Sequence, residues 1–146
     1  MNATTPQRHN AMTTCYIGIG SNLGDRGSNI DKAIEELKRA EGIRVTRASS
    51  IYETEPVSEI PQGKFLNGIL EIKTALSARE LLAELNRIEA ALGRERRIKN
   101  EPRIIDLDIL YYGDEEIHGK DLVIPHPKIN EREFVLKGLR ELGKTR

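Results

Sequence analysis

Residues 103–112 read Arg103-Ile104-Ile105-Asp106-Leu107-Asp108-Ile109-Leu110-Tyr111-Tyr112. With a period of two, Ile105, Leu107, Ile109 and Tyr111 fall on one face, and Ile104, Asp106, Asp108, Leu110 and Tyr112 on the other. A β-branched and aromatic run of this length is a strand that expects cover on both sides. Asp106 and Asp108 break that expectation. Two residues apart, they point the same way, roughly 6–7 Å from one another at ~3.3 Å of rise per residue. Two ionised acids are not buried side by side without a counter-charge. Either a cation sits between them or this face is solvated, and the strand by itself leaves both readings open.

The charge pattern next to the strand bears on that choice. Arg87, Arg94, Arg96, Arg97, Lys99 and Arg103 lead up to it against three acids, and Asp106 to Glu116 then carries five acids and no base. A basic loop abutting an acidic strand suits a polyphosphate held with divalent metal, although alternating charge blocks are commonly just solvated surface. Over the whole chain 23 basic residues balance 23 acidic ones. Net charge therefore argues neither for nor against nucleic acid or membrane.

A chain of 146 residues is long enough for one domain with a proper core. Its single cysteine, Cys15, excludes an internal disulfide and a zinc cluster, fits a reducing cytoplasm, and reads as core. No apolar run approaches membrane-spanning length. Residues 1–13 lack a secretory apolar segment. They read as a disordered leader, with Met12 an alternative start, before a single domain over 14–146.

Cys15 to Gly20 is a short apolar strand with glycines that permit close approach. Ser21 to Asp25 is a turn. Ser28 with Asp31 resembles a capping box, and Ile30, Ala33, Ile34, Leu37 and Ala40 form a helical stripe stopped by Gly42. Ile43 to Glu53 is β-branched enough for one strand. A long loop, Thr54 to Gly63, leads to a third strand, Phe65 to Thr74. Ser77 and Glu80 cap a second helix with Leu81, Leu85, Ile88 and Leu92 on its stripe, ended at Gly93. The Arg103–Tyr112 strand follows, then a short strand at Leu122-Val123-Ile124 and a helix from about Glu131. The order predicts an α+β fold: a ferredoxin-like βαββαβ core with a mainly antiparallel sheet, plus an extra hairpin strand and a C-terminal helix. In that arrangement the first and the acid-bearing strands lie adjacent in the middle of the sheet.

Common nucleotide motifs are missing. Gly18-x-Gly20-x-x-x-Gly24 departs from the dinucleotide fingerprint, and no P-loop exists. Asp106 and Asp108 remain the strongest signal. Mg²⁺ usually takes one or two carboxylates and completes its shell with substrate phosphates, and two ions ~3.5–4 Å apart can clamp an in-line displacement at phosphorus. Arg94, Arg96 and Arg103 are near enough in sequence to neutralise phosphate oxygens. Arg103 lies three residues before Asp106 and shares its side only if the strand starts with a bend, which Pro102 makes plausible. His126 is held between two prolines in a short, stiff loop, where a lone His is more often a surface or capping residue. Phe65 and Asn67 sit at the mouth of the third strand as core and turn residues. The competing class is a non-catalytic ferredoxin-like RNA- or ligand-binding module. An RNA-binding sheet wants exposed aromatics and a basic face, whereas aromatic content is 4% and the strand presents acids.

Five blocks together carry a resemblance. They are Tyr16-Ile17-Gly18-Ile19-Gly20-Ser21-Asn22-Leu23-Gly24-Asp25, Ser50 to Pro56, Phe65-Leu66-Asn67, Pro102-Arg103-x-x-Asp106-Leu107-Asp108-Ile109-Leu110, and Ile124-Pro125-His126-Pro127 with Glu131-Arg132-x-Phe134. In these the chain resembles the 6-hydroxymethyl-7,8-dihydropterin pyrophosphokinases of folate biosynthesis. The resemblance implies a cytoplasmic, monomeric transferase whose partners are two small molecules, ATP and hydroxymethyl-dihydropterin. Asp106 and Asp108 would hold two Mg²⁺ ions. Arg94, Arg96 and Arg103 would be catalytic. Thr54, Pro56, Val57, Phe65, Asn67 and Phe134 would bind the pterin, and Leu82, Asn86, Glu89, Arg96, Arg103, Ile109, His126 and Arg132 the ATP. Departures are the Phe at 65 where relatives often carry Tyr, and the absence of a Trp in the basic loop.

Overall fold

The computed structural model describes residues 11–56, 58–94 and 102–144. The leader's first ten residues, Val57 and Arg96 lie outside them. Strand β1, Thr13–Ser21, is followed by helix α1, Arg26–Arg39, and strands β2, Ile43–Ala48, β3, Tyr52–Thr54, and β4, Phe65–Thr74. Helix α2, Ala78–Ala91, leads to β5, Asp106–Tyr112. A ribbon of β6, Ile117–His118, and β7, Val123–Ile124, precedes helix α3, Glu133–Glu141. The main sheet runs β2-β4-β1-β5 with β3 also on β4, and every pairing is antiparallel.

Most elements start and stop where their residues dictate. The Ser77 hydroxyl accepts from the Glu80 N–H at 3.1 Å while the Glu80 carboxylate accepts from the Ser77 N–H at 2.8 Å, which satisfies two orphan donors of α2. Gly42 and Gly93 follow α1 and α2 with φ of +83° and +97°, conformations that only glycine adopts cheaply. Ile30, Ala33 and Leu37 of α1 and Leu81, Leu85 and Ile88 of α2 are buried against one face of the sheet. Cys15 lies fully buried among them. On the other face α3 buries Val135, Leu139 and Leu142 against Tyr16, Ile69 and Leu110.

Five expectations need correction. The N-cap of α1 is Asp25, whose carboxylate accepts from Ser28 N–H at 3.1 Å, so the helix starts three residues before the expected Ser28 cap. The single strand over Ile43–Glu53 is two, because Ser49 turns its hydroxyl onto the Ile69 N–H at 2.9 Å and breaks the run. β7 pairs with β6 in a separate ribbon and adds nothing to the main sheet. β5 lies next to β1, as the split order requires, but at the sheet's edge and not its middle. Its apolar run is explained by layers on both faces. Its outer edge is met by the His126 N–H on the Leu110 carbonyl at 3.0 Å and by Glu89, whose carboxylate accepts from Leu107 N–H at 2.7 Å.

The fifth correction concerns the face assignment at the end of β5. Tyr16 faces Tyr111 while Ile17 faces Ile109, so Leu110 is the extra residue of a bulge. Within β5 the alternation holds from Asp106 to Leu110 and then inverts, while Ile104, ahead of the strand, packs on the α1 and α2 core and not on the acids' face. Tyr112 joins the core under α1 and α2, its hydroxyl donating to the Leu76 carbonyl at 2.6 Å, while Tyr111 packs on the α3 side. Asp106, Asp108 and Leu110 keep the α3 side. That places the two acids on the face away from the large apolar core.

Candidate active site

A cavity of about 450 Å³ opens on the α3 side of the sheet. Thr54 and Pro56 follow from β3, Phe65 and Asn67 from the start of β4, and Phe134 from the first turn of α3. Asp106, Arg103 and Arg132 close its inner end. Asn67 is almost fully buried and its Nδ2 donates to Thr54 Oγ1 at 2.6 Å. Gly20 on the neighbouring strand leaves the room this requires, since a Cβ there would collide with Asn67 Oδ1. Phe65 and Phe134 are half-buried, each with ring surface left for a flat ligand.

Asp106 sits at the junction between the cavity and the acidic strand. Its Oδ1 accepts from Arg94 Nη1 at 2.9 Å and its Oδ2 from Arg103 Nη1 at 3.0 Å. The bend before β5 thus brings Arg103 to the acid's side, since the strand begins only at Asp106. The same Arg94 nitrogen donates to Glu89 Oε2 at 2.7 Å, and Glu89 is itself buried. Glu89 therefore braces Arg94 and β5 from behind and does not line the cavity. Asp108 is in a different state. No described residue donates a hydrogen bond to its carboxylate, and burial, followed by the charge of Asp106, pushes its carboxyl up to about 7. The charges of Arg132 and Arg94 pull it down only in part, and among the described residues it lacks a hydrogen-bonded cation of its own.

That lack is the fit test for a cation. Among the described residues no group of three metal-ligating side chains exists, so an all-protein cage is excluded there. Asp106 lines the cavity and Asp108, two residues along the same strand, does not; Mg²⁺ usually takes one or two carboxylates and completes its shell with phosphate oxygens and water. The donor set fits.

His126 Nδ1 accepts from the Lys128 N–H at 3.1 Å, which leaves Nε2 for another partner. Burial first, then Arg132, hold the imidazole below its ordinary pKa. Leu82 and Asn86 lie on α2 and Ile109 in the α2-side core, and none of them lines the cavity. Of the expected residues, Thr54, Pro56, Phe65, Asn67, Phe134, Arg103, Arg132 and Asp106 come together at one place. Val57 and Arg96 lie outside the described residues.

One residue of this region was read only as part of a turn. Asn22 is buried, its Oδ1 accepts from Arg103 N–H at 2.7 Å, and its own N–H donates to the Arg103 carbonyl at 3.0 Å. Its Nδ2 donates to Gln62 Oε1 at 2.7 Å and to the Gly63 carbonyl at 3.1 Å. It thereby ties the β1–α1 turn to the long loop on one side and to the arginine segment on the other. A buried amide satisfied on every side is high-stakes packing, yet nothing in local sequence marks its distant partners.

A family model, 7,8-dihydro-6-hydroxymethylpterin-pyrophosphokinase (HPPK), matches residues 16–144. The chain belongs to this family. It is 46% identical over 127 residues to the 2-amino-4-hydroxy-6-hydroxymethyldihydropteridine pyrophosphokinase of Bacillus subtilis, covering 87% of this chain and 76% of that one. It is 44% identical over 131 residues to the protein of the same name from Aquifex aeolicus, covering 90% and 81%. Among solved structures, the HPPK-DHPS of Plasmodium falciparum superposes with a TM-score of 0.67 at 15% identity. That match covers 89% of this HPPK chain and 39% of the larger one, and it speaks to the fold alone. No helix among the described residues is long and apolar enough to cross a membrane.

Proposed function

We propose a division of labour within the site for the reaction that family membership brings. The chain is an ATP-dependent pyrophosphokinase: it transfers pyrophosphate from ATP to hydroxymethyl-dihydropterin in folate synthesis. The pterin ring occupies the cavity, sandwiched at Phe134 with Phe65 at its edge, and Asn67 hydrogen-bonds its polar rim. Thr54 orients Asn67 through their hydrogen bond. Asp106 and Asp108 would hold two Mg²⁺ ions, which would screen phosphate charge and lower the pKa of the attacking hydroxyl.

The protein's own groups do the rest. Arg103 and Arg94, oriented by Asp106 and Glu89, present guanidinium charge where oxygen charge grows in the transition state. Arg132 and His126 Nε2 meet the nucleotide phosphates. Ile109, Leu82 and Asn86 belong to the nucleotide side of β5 and α2. The hydroxymethyl oxygen attacks the β-phosphorus, the bond from that phosphorus to the α,β-bridging oxygen breaks, and AMP leaves. The hydroxyl proton goes to solvent, because among the described residues no side chain of the cavity is placed as an evident base. The enzyme acts as a cytoplasmic monomer on two small molecules, without nucleic acid. We read the β2-β4-β1-β5 order with its two crossover helices as ferredoxin-like.

The observation that supports this best is the position of Asp106, shared between an aromatic-walled cavity and two arginines. The test is to incubate the protein with ATP, Mg²⁺ and hydroxymethyl-dihydropterin and identify the nucleotide product. AMP in step with pterin diphosphate is expected. ADP, or ATP left intact, would overturn the reading.

A further inference from the structure

Helix α3 carries Phe134, Gly138 and Glu141 along one stripe, at spacings of four and three residues. Each meets a different part of the same region. Phe134 lines the cavity. Gly138 sits so close to the sheet that a Cβ would collide with Ile69 and press on Ser49. Glu141 grips the corner between β2 and β3. Its two oxygens accept from Ser50 N–H at 3.1 Å each, one of them from Ser50 Oγ at 2.6 Å and the other from Tyr52 Oη at 2.5 Å.

Tyr52 opens β3 and lines the cavity, and in register it faces Asn67. Two residues on, Thr54 accepts the Asn67 amide. One helix face therefore supplies one wall of the cavity and holds the strand that supplies the opposite wall. We propose that Glu141 is a positioning residue for the pterin cavity, fixing β3 against α3 so that Phe134 faces Thr54 and Asn67 at the spacing of a flat ring. This rests on the pterin reading above.

Two further observations separate this from general support of the fold. Glu141 is exposed, whereas α3 is already anchored by Val135, Leu139 and Leu142. An exposed carboxylate adds little to global stability. Every group that Glu141 meets is also a donor. The Ser50 bonds, then Tyr52, hold its carboxyl below the usual carboxylate range. Glutamine in its place would turn an NH₂ toward one of those donors.

The test is steady-state kinetics of Glu141→Ala, Glu141→Gln and Tyr52→Phe, with pterin and ATP varied separately and thermal stability recorded alongside. Glu141→Ala should raise the pterin KM about tenfold, since small misplacements of a binding wall are costly. The ATP KM and the kcat at saturation should stay within about twofold. Glu141→Gln and Tyr52→Phe should fall between Glu141→Ala and wild type. An unchanged pterin KM in Glu141→Ala would overturn the proposal, as would pterin and ATP KM rising together with a large loss of stability. Wild-type protein that forms no AMP would remove the functional reading itself. An active wild type with an unaltered Glu141→Ala removes only the role of Glu141.

Discussion

The two faces of the sheet are built on different terms. Under α1 and α2 the contacts are mainly aliphatic, with Ile17, Leu37, Ile72, Leu81, Leu85 and Ile109 buried. Under α3 the apolar cluster is smaller and gives way to a cavity, a braced acid and one that burial raises. The first face excludes water, and the second is the one on which the proposed function places a charged, flat ligand. The contrast teaches that stability and chemistry are divided by the sheet, so substitutions on the two faces should be separable.

The largest separation should come from Asp106→Ala and Leu85→Ala. Asp106→Ala removes the proposed cation ligand and the acceptor of both Arg94 and Arg103, and turnover should fall by about a thousandfold. Circular dichroism should show the fold intact. Leu85→Ala should cost about 2–5 kcal/mol in urea unfolding while kcat at a permissive temperature is kept. Substantial activity in the first variant, or equal activity loss in both, would break the comparison.

Asn22→Ala sharpens it, because Asn22 lies where the two sides of the site are joined. Loss of its side-chain bonds to Gln62, Gly63 and Arg103 should destabilise by about 1–3 kcal/mol. It should also lower kcat/KM by more than that stability change explains. Activity unaltered at full folding would reduce Asn22 to a turn residue.

A further separation is a pH dependence confined to the acidic face. The Asp108 carboxyl, at about 7, is raised above the value of ~3.9 for an unfolded aspartate. The folded protein therefore keeps a proton that the unfolded chain releases, and without metal its stability falls as pH rises between those two values. Asp108→Asn should be inactive yet melt a few degrees higher than wild type in EDTA at pH 8, with the gap closing at pH 5. A gap independent of pH would show that Asp108 is not the strained group.

The same division governs what could be read in advance. The α1 and α2 face was legible, because helix stripes and the Ser77–Glu80 box are local signals whose partners lie within a turn. The acids on β5 were legible as an anomaly, since polar residues inside an apolar strand violate a local rule. The bulge at Leu110 was not, because it depends on the register against Tyr16 and Ile17, residues far away in sequence. The split after Ala48 likewise rests on Ser49 reaching Ile69. Asn22 and Glu141 escaped for the same reason. Their partners are 40 and 91 residues distant, and a lone Asn in a turn or Glu on a helix looks like solvated surface.

The central claim is that Asp106 and Asp108 together hold the cations against which the nucleotide is placed. It is tested most directly by counting bound Mn²⁺ by electron paramagnetic resonance, with a non-hydrolysable ATP analogue present at pH 8. Wild-type protein should bind two ions per chain in that complex, and Asp106→Ala and Asp108→Ala should each lose at least one. Both variants retaining the full wild-type complement of metal would contradict the account.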